Sequence, residues 1–137
     1  VESLKMAVQS GVDVRIMIPH MPDHIFVYWA TYSYVGELLR SGARAFIYDD
    51  GFLHAKTLVV DGEVCTVGST NFDNRSFRLN FETNAFIFDS DFAAQMEAAF
   101  LHDMTRHGHE LTYEDYKQRG LLIRVKEAFS RLLSDIL

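Results

Sequence analysis

The chain has 137 residues, of which 48% are apolar and 13% aromatic, and a formal net charge of −6. A chain of this length and composition builds one hydrophobic core and is not intrinsically disordered. The acidic balance argues against nucleic acid as a partner, because phosphate backbones reward basic surfaces. No apolar run reaches the roughly eighteen residues of a transmembrane helix, and no signal peptide is expected. The lone Cys65 offers neither a disulfide framework nor a cysteine zinc set.

Val1 to Ser10 has a helical pattern, with Leu4, Met6, Ala7 and Val8 apolar, and Gly11 is a helix stop. Because this helix has no visible start, sequence is expected upstream of it. Val12 to Ile18 reads as a strand closed by Pro19. His20 to Asp23 is a loop, with Asp23 a candidate N-cap for a helix from His24 to Arg40 that Ser41-Gly42 closes. That helix carries Phe26, Tyr28, Trp29, Tyr32 and Tyr34, which are expected to pack it on a sheet. Tyr28 and Trp29 also suit a lipid headgroup region, being apolar with a polar tip. His20 and His24 read as solvated loop residues. Ala43 to Tyr48 is the next strand, and Asp49 to Phe52 leads out of it.

Lys56 to Val60 is rich in β-branched residues and reads as a strand, so His54 and Lys56 fall on one face by alternation. Asp61-Gly62 is a hairpin signal, and Val64 to Val67 returns as a second strand. The hairpin would bring Gly68-Ser69-Thr70-Asn71 back beside His54. Asn71 to Leu79 is polar and irregular; its Arg75 suits either a phosphate or a structural salt bridge. Phe81 to Phe88 reads as a further strand carrying Glu82.

Asp89 or Ser90 caps a long helix with Phe92, Met96, Ala99, Phe100 and Met104 on one face, a core stripe. His102, His107 and His109 lack the spacing of a helical metal motif and read as solvated. Thr112 and Asp115 form a capping box with a Leu111–Tyr116 staple, and Gly120 ends the short helix that follows. Residues 121–137 form a last amphipathic helix, with Val125, Phe129, Leu132, Leu133 and Ile136 on one face. Packing on the domain, or on a second half, is the commoner use of such a stripe; a membrane surface is the alternative. Strands alternating with helices define an α/β layered domain with a mixed sheet.

The polar residues of the central hairpin suit phosphoryl chemistry. A phosphodiester needs a nucleophile at phosphorus and donors on its non-bridging oxygens. A neutral imidazole is a competent nucleophile, a lysine favours phosphate oxygens, and Ser69 and Asn71 are hydrogen-bond donors. A nucleophilic histidine also needs an acceptor on its other nitrogen, for which Glu82 is the candidate. Asp61 serves equally well as a turn residue.

The spacing His54-x-Lys56-x-x-x-x-Asp61, followed by Gly68-Ser69-x-Asn71, resembles the signature of the phospholipase D superfamily. The words GFLHAKTLVVDG, VGSTNFDNRSFRLNFE and SGVDVRIMIP resemble the carboxyl-terminal half of a bacterial cardiolipin synthase. The resemblance implies an α/β/α sandwich, a mixed sheet flanked by helices, as one half of a two-half enzyme. It makes residues 1–137 a single C-terminal domain. It implies that His54 attacks phosphorus, or protonates the leaving group while the histidine of a second motif attacks. Lys56, Ser69 and Asn71 would hold phosphate, Glu82 would orient His54, and Asp61 would be mainly structural; no metal and no cofactor is implied. The implied partners are phosphatidylglycerol and either an N-terminal half with a second motif or a second copy of the chain. The implied location is the bacterial membrane for the longer protein, with this piece soluble and inactive alone. A phospholipase D-type hydrolase, a nuclease, and a non-catalytic half that completes a partner's site are the alternatives.

Overall fold

The computed structural model describes residues 1–21 and 25–132. The expected cap Asp23, His24, Leu133 and Ile136 lie outside them, as does the side chain of Phe26. The chain opens with helix α1 (Glu2–Gln9), strand β1 (Arg15–Pro19), helix α2 (Ile25–Ser41) and strand β2 (Arg44–Tyr48). β1 starts three residues later than the apolar pattern suggests. β1 and β2 pair in parallel, Ile16 opposite Ala45 and Ile18 opposite Ile47, with α2 as the crossover that parallel strands require.

β2 is the middle strand of its sheet and is buried on both faces at Ala45, Phe46 and Ile47. On one face Ile18, Ala45 and Ile47 join Val35 and Leu39 of α2 in the core, with Leu111 and Tyr116. Helix α4 (Ser90–Arg106) contacts β2 as well as the second sheet. The third strand of this sheet, β6 (Gly108–Leu111), pairs antiparallel with β2; the sequence pattern shows no strand here, and His109 within it is exposed, as expected. Arg44 donates two hydrogen bonds to Glu110, at 2.9 and 3.0 Å, which ties the pair across 66 residues.

The second sheet is an antiparallel meander of β3 (Thr57–Val60), β4 (Val64–Gly68) and β5 (Asn84–Ile87). The single mixed sheet expected is therefore two three-stranded sheets. Asp61 and Gly62 both have positive φ, 54° and 64°, as a tight primed hairpin turn requires. Register puts Val59, Cys65 and Ile87 on one face, where Cys65 is 1% exposed and Ala93 of α4 fully buried. The opposite face carries Leu58, Val60, Phe86 and Phe88, all exposed. β5 is shorter than the expected Phe81–Phe88 run.

Asp73 caps a short helix α3 (Asn74–Arg78) by accepting from the Ser76 amide at 2.6 Å, within a stretch expected to be irregular. The α4 stripe sits differently from its pattern: Met96, Phe100 and Met104 are half-buried, and Phe92 and Ala99 are exposed. Asp89 is its cap, and Thr112 with Asp115 forms the expected capping box of α5 (Tyr113–Lys117).

The last helix, α6 (Leu121–Leu132), packs on α2 but not by its apolar stripe. Leu121, Leu122, Val125, Phe129 and Leu132 face outward, and the buried residues are Glu127 and Ser130. Glu127, 3% exposed, accepts from Tyr116 Oη at 3.0 Å and from Arg119 at 2.7 and 2.9 Å. The Arg119 guanidinium lies 3.6 Å from the centroid of the Tyr116 ring. Two α2 aromatics also serve this helix layer: Tyr32, which packs against the core, meets Tyr116, and Trp29 lies under Lys126.

Candidate active site

The gathered residues sit where β3 begins, β4 ends and β5 is about to begin. Gly68 donates its amide to the Lys56 carbonyl at 3.2 Å, the last rung of the β3–β4 hairpin. One residue on, the Ser69 amide donates to the Thr83 carbonyl at 3.0 Å and the Thr83 amide donates back to Ser69 Oγ at 3.0 Å. The Ser69 hydroxyl then donates to Glu82 Oε2 at 2.5 Å. The Lys56 ammonium donates to the His54 carbonyl at 2.7 Å, which links the histidine segment to the same chain of contacts. Thus Lys56, Ser69 and Glu82 stand together because the ladder ends there.

Gly68 is required by this crowding. A Cβ there would lie 1.9 Å from Asn84 Oδ1 and 2.3 Å from the Thr83 carbonyl oxygen. Asn84 in turn accepts from the Thr70 amide at 3.3 Å, which fixes the start of the Thr70–Asn71 turn.

Glu82 has both oxygens engaged. Oε2 takes the Ser69 hydroxyl, and Oε1 accepts from Asn80 Nδ2 at 3.1 Å. These two donors, the Ser69 hydroxyl foremost, hold the carboxyl below the usual glutamate range, and the Lys56 ammonium adds to the effect. Ser76 is buried, and its hydroxyl meets no partner in good hydrogen-bond geometry, yet it lies near enough to favour the Glu82 charge. Among the described residues no hydrogen bond joins Glu82 to His54. The His54 ring is exposed and stacks on Phe52, centroids 5.3 Å apart.

Asn71 is exposed, two residues past Ser69. Asp61 is at the other end of the hairpin, roughly 15 Å from Lys56 by strand rise alone, and is not gathered with the rest. Arg75 forms no carboxylate pair among the described residues; its Nε donates to Asn80 Oδ1 at 3.3 Å. Asn80 is the residue that sequence reasoning passed over. It joins Arg75 to Glu82, and its one signal was a carboxamide two positions before the acid. His20 is held by Asp49 at 3.5 Å, away from the hairpin. No helix among the described residues is long and apolar enough to cross a membrane.

The arrangement presents an imidazole, an ammonium, a carboxamide and a charge-stabilised carboxylate at an open surface, a set able to bind a phosphodiester. The family described as cardiolipin synthase, PLD-like domain, matches residues 1–104, and the chain belongs to it. Over 136 residues, 99% of the chain, it is 59% identical to a cardiolipin synthase of Listeria monocytogenes and 57% identical to the major cardiolipin synthase of Bacillus subtilis. A cardiolipin synthase of Oceanobacillus iheyensis is 52% identical over the same length. The chain spans 28% of each of these relatives. Its fold matches the crystal structure of a phosphatidylserine synthase from Haemophilus influenzae with a TM-score of 0.72, at 18% identity, over 99% of this chain and 38% of that one.

Proposed function

We propose that this chain supplies the carboxyl-terminal motif of a cardiolipin synthase, which transfers a phosphatidyl group between two phosphatidylglycerol molecules. The observation that carries the reading is the junction of Lys56, Gly68, Ser69 and Glu82 at the end of one hairpin, with His54 and Asn71 beside it. A histidine nitrogen attacks phosphorus of the first lipid, and the bond from phosphorus to the glycerol oxygen breaks. Glycerol leaves with a proton from the other motif's histidine. The free hydroxyl of the second phosphatidylglycerol then attacks phosphorus of the phosphohistidine, gives its proton to the other histidine, and forms cardiolipin as the phosphorus–nitrogen bond breaks. His54 is one of the two histidines, and either role fits its place.

Lys56 and Asn71 would bind phosphate oxygens, joined by Ser69 when its one hydroxyl proton turns from Glu82 to the substrate, and Arg75, turned to a carboxamide and not a carboxylate, would add charge at the same edge. Glu82 would orient His54 once substrate orders the loop. The second motif would come from upstream sequence or from a second chain, and would cover the exposed face of Leu58, Val60, Phe86 and Phe88. The outward stripe of α6, flanked by Arg124, Lys126 and Arg131, supports a membrane-surface location.

The test is product analysis of the full-length protein on phosphatidylglycerol vesicles. Cardiolipin with equimolar glycerol is expected. Phosphatidic acid without cardiolipin would make water the acceptor and the protein a hydrolase.

A further inference from the structure

We propose that His102, Asp103 and His107 bind a divalent transition cation of the zinc class, with Asp50 orienting His107 from behind. His102 and Asp103 lie in the last turn of α4, and His107 caps that helix. One donor atom of each falls within 4.8 Å of those of the other two. A tetrahedral zinc ion brings its ligand atoms to about 3.4 Å from one another, so modest side-chain rotations close the set. His102 is exposed and makes such a rotation at little cost.

The donor set selects the cation. Two imidazoles and one carboxylate suit zinc and its neighbours, whereas magnesium and calcium prefer all-oxygen cages. The two imidazole rings stand 5.4 Å apart, tilted by 53°. Asp50 Oδ2 lies 2.8 Å from His107 Nδ1; a neutral ring that donates Nδ1–H to it keeps the Nε2 lone pair for a cation. A ligating histidine held by a carboxylate on its other nitrogen is the arrangement that fixes ring and tautomer in metal sites. The Asp49 amide donates to the His107 carbonyl at 2.7 Å, which holds the backbone as well. Asp49 itself is engaged elsewhere, 2.5 Å from His109 Nδ1 and 3.5 Å from His20.

The site joins the end of α4 to the segment that runs from Asp50 to His54. A bound cation would therefore clamp the base of the loop that carries the reactive histidine, through Asp50 and not through any contact with substrate.

The test uses the full-length protein, stripped with a chelator and titrated with zinc chloride by calorimetry, with cobalt(II) absorption as a second readout. Wild type is expected to take up one more zinc per chain than the His102→Gln variant or the His107→Gln variant. Its tetrahedral cobalt bands are expected to vanish in both variants. Asp50→Asn is expected to keep the stoichiometry and weaken binding roughly tenfold or more. Far-UV circular dichroism checks that these surface variants remain folded. Equal zinc uptake and equal affinity in wild type and the His102→Gln/His107→Gln double variant would overturn the proposal, as would no zinc uptake by wild type.

Discussion

At the scale of single residues, the site depends on a few short contacts that the hairpin places next to each other. Ser69 both receives the Thr83 amide and donates to Glu82, so its hydroxyl links backbone and carboxylate. Because the folded carboxyl of Glu82 is lowered, its contribution is fully present above the unfolded pKa and is lost as pH falls through the lowered folded value. Ser69→Ala removes the largest cause, so the carboxyl returns toward its ordinary range. The acid limb of kcat/KM is then expected to move to higher pH, and an unmoved limb would separate Glu82 from the chemistry. Lys56→Ala is expected to lower kcat on the order of 10²–10³-fold, the usual cost of losing one preorganised charge or donor. Gly68→Ala sets a methyl against backbone oxygen at Thr83 and is expected to cost about 1–3 kcal/mol in chemical denaturation. These residues were legible in the sequence because their spacing is local: His54 and Lys56 before an apolar strand, a turn at Asp61-Gly62, and the return to Ser69. The Glu82 partners were not, since both of its oxygens are claimed by Ser69 and Asn80 through contacts that no periodicity encodes.

At the scale of elements, most helices and strands follow their patterns, and the departures have physical reasons. β6 has the polar text Gly-His-Glu-Leu and no alternation of its own; its strand conformation comes from pairing with β2 and from the Arg44–Glu110 bridge. α3 lacks an apolar period, and its one sequence signal is Asp73 ahead of Ser76. The stripe on α6 correctly marks an amphipathic helix but not which side docks. A buried acid decides that, because Glu127 is satisfied by Tyr116 and Arg119 from the preceding segment. Glu127→Ala leaves the half-buried guanidinium without its partner and is expected to cost roughly 3–5 kcal/mol, read from the midpoint of urea unfolding. Gly36 belongs to the same packing: a Cβ there would lie 2.0 Å from the Tyr116 ring. The outward stripe has a separate expected consequence. Val125→Asn with Phe129→Asn should leave the helix content unchanged and weaken sedimentation with anionic lipid vesicles. Unchanged sedimentation would remove α6 from the membrane contact.

At the scale of the whole molecule, the α/β layering was readable from the order of strands and helices, while the split into two sheets was not. The break falls between β2 and β3, where the Asp49–Leu53 segment leaves the first sheet and carries His54 toward the second. Apolar sheet residues at Leu58 (50% exposed) and Phe86 (67% exposed) are unusual for an antiparallel sheet meant for water on that side. They agree with the proposal that further protein covers this face, in a chain that spans 28% of its relatives. The central claim is that His54 is one of the two reacting histidines of a phosphatidyl transferase. Its most direct test is the rate of cardiolipin formation by the full-length His54→Gln variant on phosphatidylglycerol vesicles, beside wild type. A loss of at least about a thousandfold with unchanged circular dichroism is predicted. Cardiolipin formation within a few fold of wild type would contradict it.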